Sequence, residues 1–218
     1  MDRRLSELVA RRAALRFAAG GAVLTAGGLA MGAAGALEPT ETMTIGPFYP
    51  VLRPIDEDAD LTMVNGMKIA AKGEVIHVTG RVLDARGKPV SGARIEIWQA
   101  NAAGKYAHPA DGSPVPLDDG FQGFGVQTSD AEGRYRFKTI RPGAYAIPDG
   151  RRRTPHIHVD IAGKQTRIVT QMFFPGEPMN ASDFLLQQSE SPATLIARRG
   201  AAMAGQPVFD WDIILPAG

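Results

Sequence analysis

Two of the four histidines, His156 and His158, stand two residues apart in Arg153-Thr-Pro-His-Ile-His-Val-Asp-Ile161. Read as a strand, this stretch has a period of two, so both imidazoles share one face. Ile157, Val159 and Ile161 share the other face and are candidates for a core. A rise of about 3.3 Å per residue sets the two histidine Cα atoms roughly 6–7 Å apart, close enough for both rings to converge on one ion. The same spacing equally fits two histidines on a solvated face. The chain has no cysteine, which excludes thiolate metal sites and a cysteine nucleophile. A metal here takes nitrogen and oxygen ligands, a set suited to harder ions. Tyrosine is the other scarce oxygen donor, at 49, 106, 135 and 145. Tyr106 and Tyr145 both follow a glycine at a strand edge. Any one of them alone also reads as a half-buried aromatic with its hydroxyl bonded.

The elements that must position these residues are short. Ile76, Val78 and Val82 alternate with polar or small residues, Asp84–Pro89 supplies a turn, and Ile95 and Ile97 share a face of the next run. Asp130–Gly133 is a turn into 134–140, the histidine strand follows Tyr145, and 164–174 and 209–215 alternate again. About eight such strands, with turn signals between them, predict an all-β fold, an antiparallel sandwich. Helix is confined to two short candidates. One is 181–188, capped by Asn180; the other is 192–204, with Ser191 at the N-cap and Pro192 at the first helical position. Residues 107–123 form a long Pro-, Asp- and Gly-rich loop, of the kind that lines a site.

Residues 1–36 have the layout of an export signal. Arg11-Arg12 precedes a Gly/Ala-rich apolar run from Phe17 to about Leu37, which closes on the small-x-small pattern Ala34-Gly35-Ala36. The alternative is an uncleaved anchor, although the run is weakly apolar for a membrane span. Export by the twin-arginine route to the periplasm or beyond is the expectation. Removing this segment leaves 19 of 24 basic and 21 of 23 acidic residues. The remainder is slightly acidic, which argues against a nucleic-acid partner. Residues 37–73 then form an extended arm, since Gly46-Pro-Phe-Tyr-Pro50 and Pro54 prevent regular helix. Such an arm wraps its own domain (74–218) or a neighbouring subunit, so a homo-oligomer through the arm is expected.

Taken together, the motifs resemble a family. Trp98-Gln-Ala-Asn with Gly104-Lys-Tyr106, Thr139-Ile-Arg-Pro-Gly-Ala-Tyr145, Arg153-Thr-Pro-His-Ile-His158 and Thr170-Gln-Met-Phe-Phe174 occur in the order found in intradiol ring-cleavage dioxygenases of the protocatechuate and catechol types. The resemblance runs from about Gly46 to Gly176 and includes Gly46-Pro-Phe-Tyr-Pro50. It implies a prealbumin-like sandwich and a non-haem Fe(III) held by Tyr106, Tyr145, His156 and His158. Two tyrosines suit that ion because each must lose a proton, which costs on the order of 4 kcal/mol at pH 7 and which a hard trivalent cation offsets. By the same correspondence, a catechol and O2 are the substrates and a cis,cis-muconate type diacid is the product. Tyr145 takes a proton, Arg153 supplies a fixed positive charge to the activated ring, and Gln171 lies near the substrate. Tyr49 either contacts the substrate or packs the arm.

Three departures bear on the substrate. Ala144 and Ala146 flank Tyr145 where the family often has proline, the 107–121 loop lacks a basic cluster for a ring carboxylate, and 38–73 is too short for a helical dimerisation domain. Two rival readings stand beside this one. Val78-Thr-Gly-Arg-Val-Leu-Asp84 also resembles prealbumin-like binding modules, which have the sandwich without iron. His156, His158 and Asp160 make a two-histidine, one-carboxylate set on one strand face, but such positions span roughly 13 Å along a straight strand.

Overall fold

The computed structural model describes residues 35–53 and 56–217. Residues 1–34, with the arginine pair and most of the apolar run, lie outside the described residues. The strands, in chain order, are β1 (Val75–Asp84), β2 (Arg94–Trp98), β3 (Phe124–Thr128), β4 (Arg134–Ile140), β5 (Tyr145–Ala146), β6 (Arg152–Arg153), β7 (His156–Ala162), β8 (Arg167–Phe173), β9 (Arg198–Arg199), β10 (Val208–Asp210) and β11 (Ile213–Leu215). One sheet has the order β3-β2-β7-β8 and is antiparallel throughout. The other is built on β1, with β4 antiparallel on one side and β10 and β11 on the other.

The sandwich is present, with one departure from a purely antiparallel arrangement. β10 and β11 both run parallel to β1, one along each half of it. The chain returns to β1 from a distant segment instead of by a hairpin, and parallel pairing needs such a crossover. Alternation within 209–215 signals a strand but carries no information on the direction of its partner.

The alternation predicted for the histidine strand holds on its core side. Ile157, Val159 and Ile161 join Ile95, Ile97, Ile168 and Met172 against Ile76, Val78, Phe137, Phe209 and Ile213 of the other sheet. The opposite face of β7 is not solvated: His156 is 2% exposed, His158 1% and Asp160 4%. What covers it is the arm.

The arm is hydrogen-bonded to the sandwich of its own chain at several points. The Leu37 N–H donates to the Ala85 carbonyl, Thr40 to Ile214 and Met43 to Val169 on β8. The Glu41 carboxylate accepts from the Ser189 hydroxyl and the Ser191 N–H. The arm then crosses the end of the β3-β2-β7-β8 sheet, and Val126 and Lys138 donate to the carbonyls of Glu57 and Ala59.

Both helix expectations shrink. Within 181–188 only α1 (Phe184–Gln187) is α-helical, preceded by a 3-10 turn at Pro178–Ser182. Its cap is Asp183, not Asn180: the Asp183 carboxylate accepts from the Leu186 N–H at 3.0 Å. Of 192–204, only Pro192–Thr194 forms a 3-10 turn. Ser191 makes no capping bond there, because its hydroxyl donates to Glu38. Leu195 and Ala197 are drawn into the interior and pair with Phe173, so tertiary hydrogen bonds override a helical pattern that has no cap. Among the described residues no helix is long and apolar enough to cross a membrane.

Candidate active site

The site is assembled where β7 begins, against β2, the β5–β6 hairpin and the arm. His156 opens β7, and its Nδ1 lies 2.7 Å from the Thr154 carbonyl oxygen. A carbonyl only accepts, so Nδ1 carries the proton and Nε2 presents its lone pair. That Nε2 lies 3.2 Å from Nε2 of His158. The His158 ring is fixed by Trp98, its direct partner on β2, which stacks on it at 4.9 Å with 10° between the planes. His158 Nδ1 is buried with no hydrogen-bond partner among the described residues.

Tyr106 and Tyr145 arrive from two loops that touch backbone to backbone. Asn101 organises the first loop: its side-chain oxygen accepts from the Ala103 and Lys105 N–H groups. The Tyr106 N–H donates to Asp111 at 2.8 Å. A Cβ on Gly104 would lie 2.4 Å from the Ala144 carbonyl oxygen, and one on Gly143 would lie 2.5 Å from that of Ala102. Only glycine at both positions lets the loops close, and this closure is the physical content of the glycines that precede the two tyrosines. The phenol rings then meet edge to face at 5.3 Å. Tyr145 lies 5.6 Å from the His156 ring and Tyr106 lies 6.2 Å from that of His158.

Arg153 is the cross-strand partner of Tyr145 in the β5–β6 hairpin, and it is buried. Its Nη2 donates to the Gln171 side-chain oxygen at 2.6 Å and its Nε to Asp183 at 2.8 Å. Gln171 in turn donates to the Thr44 carbonyl of the arm at 3.0 Å. The four aromatic rings, Arg153 and Gln171 are therefore brought together as the sequence predicts.

Tyr49 sits apart from this group. Its hydroxyl donates to Glu96 at 2.7 Å, and its ring stands edge-on to the far side of the site on Trp98, at 5.0 Å. Asp160 is paired with Arg167 and registers opposite Glu96, so its carboxylate is already engaged. Two residues that sequence reasoning did not assign to the site belong to it. Phe48 stacks on Tyr106 at 4.5 Å and meets Tyr145 at 5.9 Å. Asp183 balances the charge of Arg153, but it lies in a stretch whose only local signal is helical.

Burial sets the electrostatics. It pushes the Tyr106 hydroxyl well above the usual phenol range, and neighbouring Tyr145 adds to the effect. Burial also raises Tyr145, with Arg153 pulling against it. His156 is lowered to about 3 by burial and then by Arg153, against the opposing Thr154 bond. Burial, His156 and Arg153 together hold His158 well below the usual imidazole range. All four groups are thus neutral at pH 7 without a cation.

This donor set fits a metal ion. Two imidazole lone pairs 3.2 Å apart lie within reach of one ion bonded at about 2.1 Å to each nitrogen. Nearby, two buried phenols can ionise only if a positive charge arrives. Among the described residues no three His, Asp or Glu side chains cluster as a metal site, and the phenols beside the two imidazoles are those of Tyr106 and Tyr145.

A family model described as a dioxygenase matches residues 44–216, which covers the arm from Thr44 and the whole sandwich. The chain belongs to the intradiol ring-cleavage dioxygenase family. This dioxygenase is 48% identical over 180 residues to the protocatechuate 3,4-dioxygenase β chain of Burkholderia cepacia, covering 75% of this chain and 73% of that one. It is 34% identical over 166 residues to hydroxyquinol 1,2-dioxygenase of a Rhizobium species, covering 70% of this chain and 53% of that protein. Among solved structures it is similar to the dioxygenase domain of a carbohydrate-binding fusion from Streptomyces sp. SirexAA-E. There the TM-score is 0.63 at 27% identity, over 83% of this chain and all of that one.

Proposed function

We propose that this intradiol dioxygenase binds one Fe(III) through Tyr106, Tyr145, His156 and His158. With it, the enzyme cleaves a catechol-type ring between its two hydroxylated carbons, placing both atoms of O2 in a cis,cis-muconate type diacid. The observation that carries this reading is the approach of the His156 and His158 Nε2 atoms to 3.2 Å beside two buried, facing tyrosines. When bound, ferric iron supplies a Lewis acid that draws both catechol oxygens into their anionic form and opens the ring to O2.

The protein's own residues do the rest. Thr154 fixes the His156 tautomer, and Trp98 fixes the plane of His158. Tyr145 is the phenol beside Arg153, so its oxygen is the one best placed to exchange a proton with an arriving catechol hydroxyl. Arg153 cannot lose its charge and is held at two edges, so it stabilises negative charge that develops on the ring without having to reorient. Phe48 stacks on Tyr106 and holds its ring in place. Tyr49 acts through Trp98 and the arm, since its hydroxyl is engaged with Glu96.

We also propose that residues 1–36 are a twin-arginine export signal and that the active form is periplasmic or secreted. Its support is the Arg11-Arg12 pair, the Gly/Ala-rich apolar run after it and the small-x-small pattern Ala34-Gly35-Ala36. Assembly of like chains would use the outer side of the arm. The test of the activity is incubation with catechols under isotope-labelled O2. A ring-opened diacid carrying two labelled oxygens is expected, whereas a semialdehyde product would reject the intradiol assignment.

A further inference from the structure

The end of the sandwich away from the histidines is basic. There the turn after β1 and the turn between β7 and β8 enclose an open groove of about 610 Å³, large enough for a lipid headgroup, and Arg86, Lys88 and Lys164 line it with Asp84. All three cations are exposed, and among the described residues none of them forms a salt bridge. Asp84 does not face them as a counter-charge alone, since its Oδ1 accepts from the Arg86 and Lys88 N–H groups at 2.9 Å and closes the turn. The outer face of β4 differs: Arg134 is paired with Glu132 and Lys138 with Asp60. The apolar run joins the sandwich at the basic end. Leu37, its last residue, donates its N–H to the Ala85 carbonyl at 2.7 Å, and its side chain is 40% exposed beside Gly87.

From the unpaired charge and the place where the run joins, we propose that this end docks on an anionic lipid surface while the apolar run holds the chain at a membrane. The inference rests on the reading of residues 1–36 as a membrane-directed segment. A weakly apolar segment gives only marginal, reversible attachment, and a basic patch beside it is the second signal that makes attachment stable. Arg86, Lys88 and Lys164 supply that patch, each gaining attraction once it lies within a Debye length of the lipid phosphates. Orientation follows from the fold. His156 opens β7 and Ala162 ends it, next to the basic turn, so the strand of 7 residues sets the histidines roughly 20 Å from the docked end. The active site then faces away from the bilayer and stays open to a catechol arriving from water.

The test is co-sedimentation of the full chain with vesicles of phosphatidylcholine alone or mixed with phosphatidylglycerol. Binding should be stronger with phosphatidylglycerol and should weaken as salt is raised. Arg86→Gln, Lys88→Gln and Lys164→Gln combined should lower partition onto the anionic vesicles roughly a hundredfold, leave phosphatidylcholine binding unchanged and leave ring cleavage in solution unchanged. Arg134→Gln, Arg136→Gln and Lys138→Gln combined remove the same charge from the outer face of β4 and should change partition by no more than about threefold. Anionic-vesicle binding that survives the first triple variant, or falls equally in the second, would overturn the docking surface. Arg11→Lys with Arg12→Lys keeps the charge, so the vesicle result stands whether or not residues 1–36 direct export.

Discussion

Arg153 and Asp183 form an ion pair at 2.8 Å that is shut away from solvent on both sides, with side chains 4% and 0% exposed. Asp183 also accepts from the Thr154 and Leu186 N–H groups, so one carboxylate ties the arginine to the turn before β7 and to the start of α1. Removing it strands a buried guanidinium. Asp183→Ala should cost about 3–5 kcal/mol of stability, measured by chemical denaturation. Protein that does fold should lose turnover more than substrate affinity. Unchanged stability would mean that the arginine finds another partner.

Gly46 is where the arm passes over the metal-side face. It has φ +71°, and a Cβ there would stand 3.1 Å from His158 Cε1. Gly46→Ala should therefore destabilise the protein by about 1–2 kcal/mol through the left-handed backbone alone. The variant should also retain less iron after dialysis, because His158 must shift. Wild-type metal content together with wild-type stability would show that the arm does not bear on the histidine.

Acid should unfold the metal-free protein through its buried imidazoles. The folded pKa of His156 is about 3, against an ordinary 6.5, so the unfolded chain binds the extra proton. Stability contributed by neutral His156 is then complete above about 6.5 and is lost as pH falls toward about 3, at up to about 1.4 kcal/mol per pH unit. His158 is shifted the same way. Thermal melts of metal-free protein at successive pH values should follow this slope, and His156→Phe should flatten it. A melting temperature independent of pH across that window would contradict the burial of both rings.

Much of this site is legible in the sequence because its parts are local. The two-residue spacing of His156 and His158 sets their common face, and the glycines near Tyr106 and Tyr145 mark backbone contacts that the fold does make. What is not legible depends on pairing at a distance. Nothing near Asp183 signals Arg153, thirty positions earlier in the chain. Tyr49 and Phe48 are neighbours, yet only Phe48 faces the tyrosines, because Glu96 and Trp98 capture Tyr49. The 192–204 segment reads as helix until Phe173 pulls it into a sheet edge.

Export is checked by the mature N-terminus. Protein recovered from the periplasm or medium should begin at Leu37, and changing Arg11-Arg12 to Lys-Lys should hold the precursor in the cytoplasm. An exported chain that keeps its first residues would favour the anchor alternative.

The central claim is that tyrosinate oxygens of Tyr106 and Tyr145 bind ferric iron, and visible absorption of the purified holoprotein tests it most directly. Red to burgundy protein with about one iron per chain is expected, because tyrosinate-to-iron charge transfer absorbs in the visible. Tyr106→Phe or Tyr145→Phe should shift or abolish the band. Tyr135→Phe, whose hydroxyl donates to the Trp211 carbonyl at 2.6 Å, should leave it intact and cost only about 1 kcal/mol of stability. Colourless protein with stoichiometric iron, or a band untouched by both site variants, would contradict the assignment.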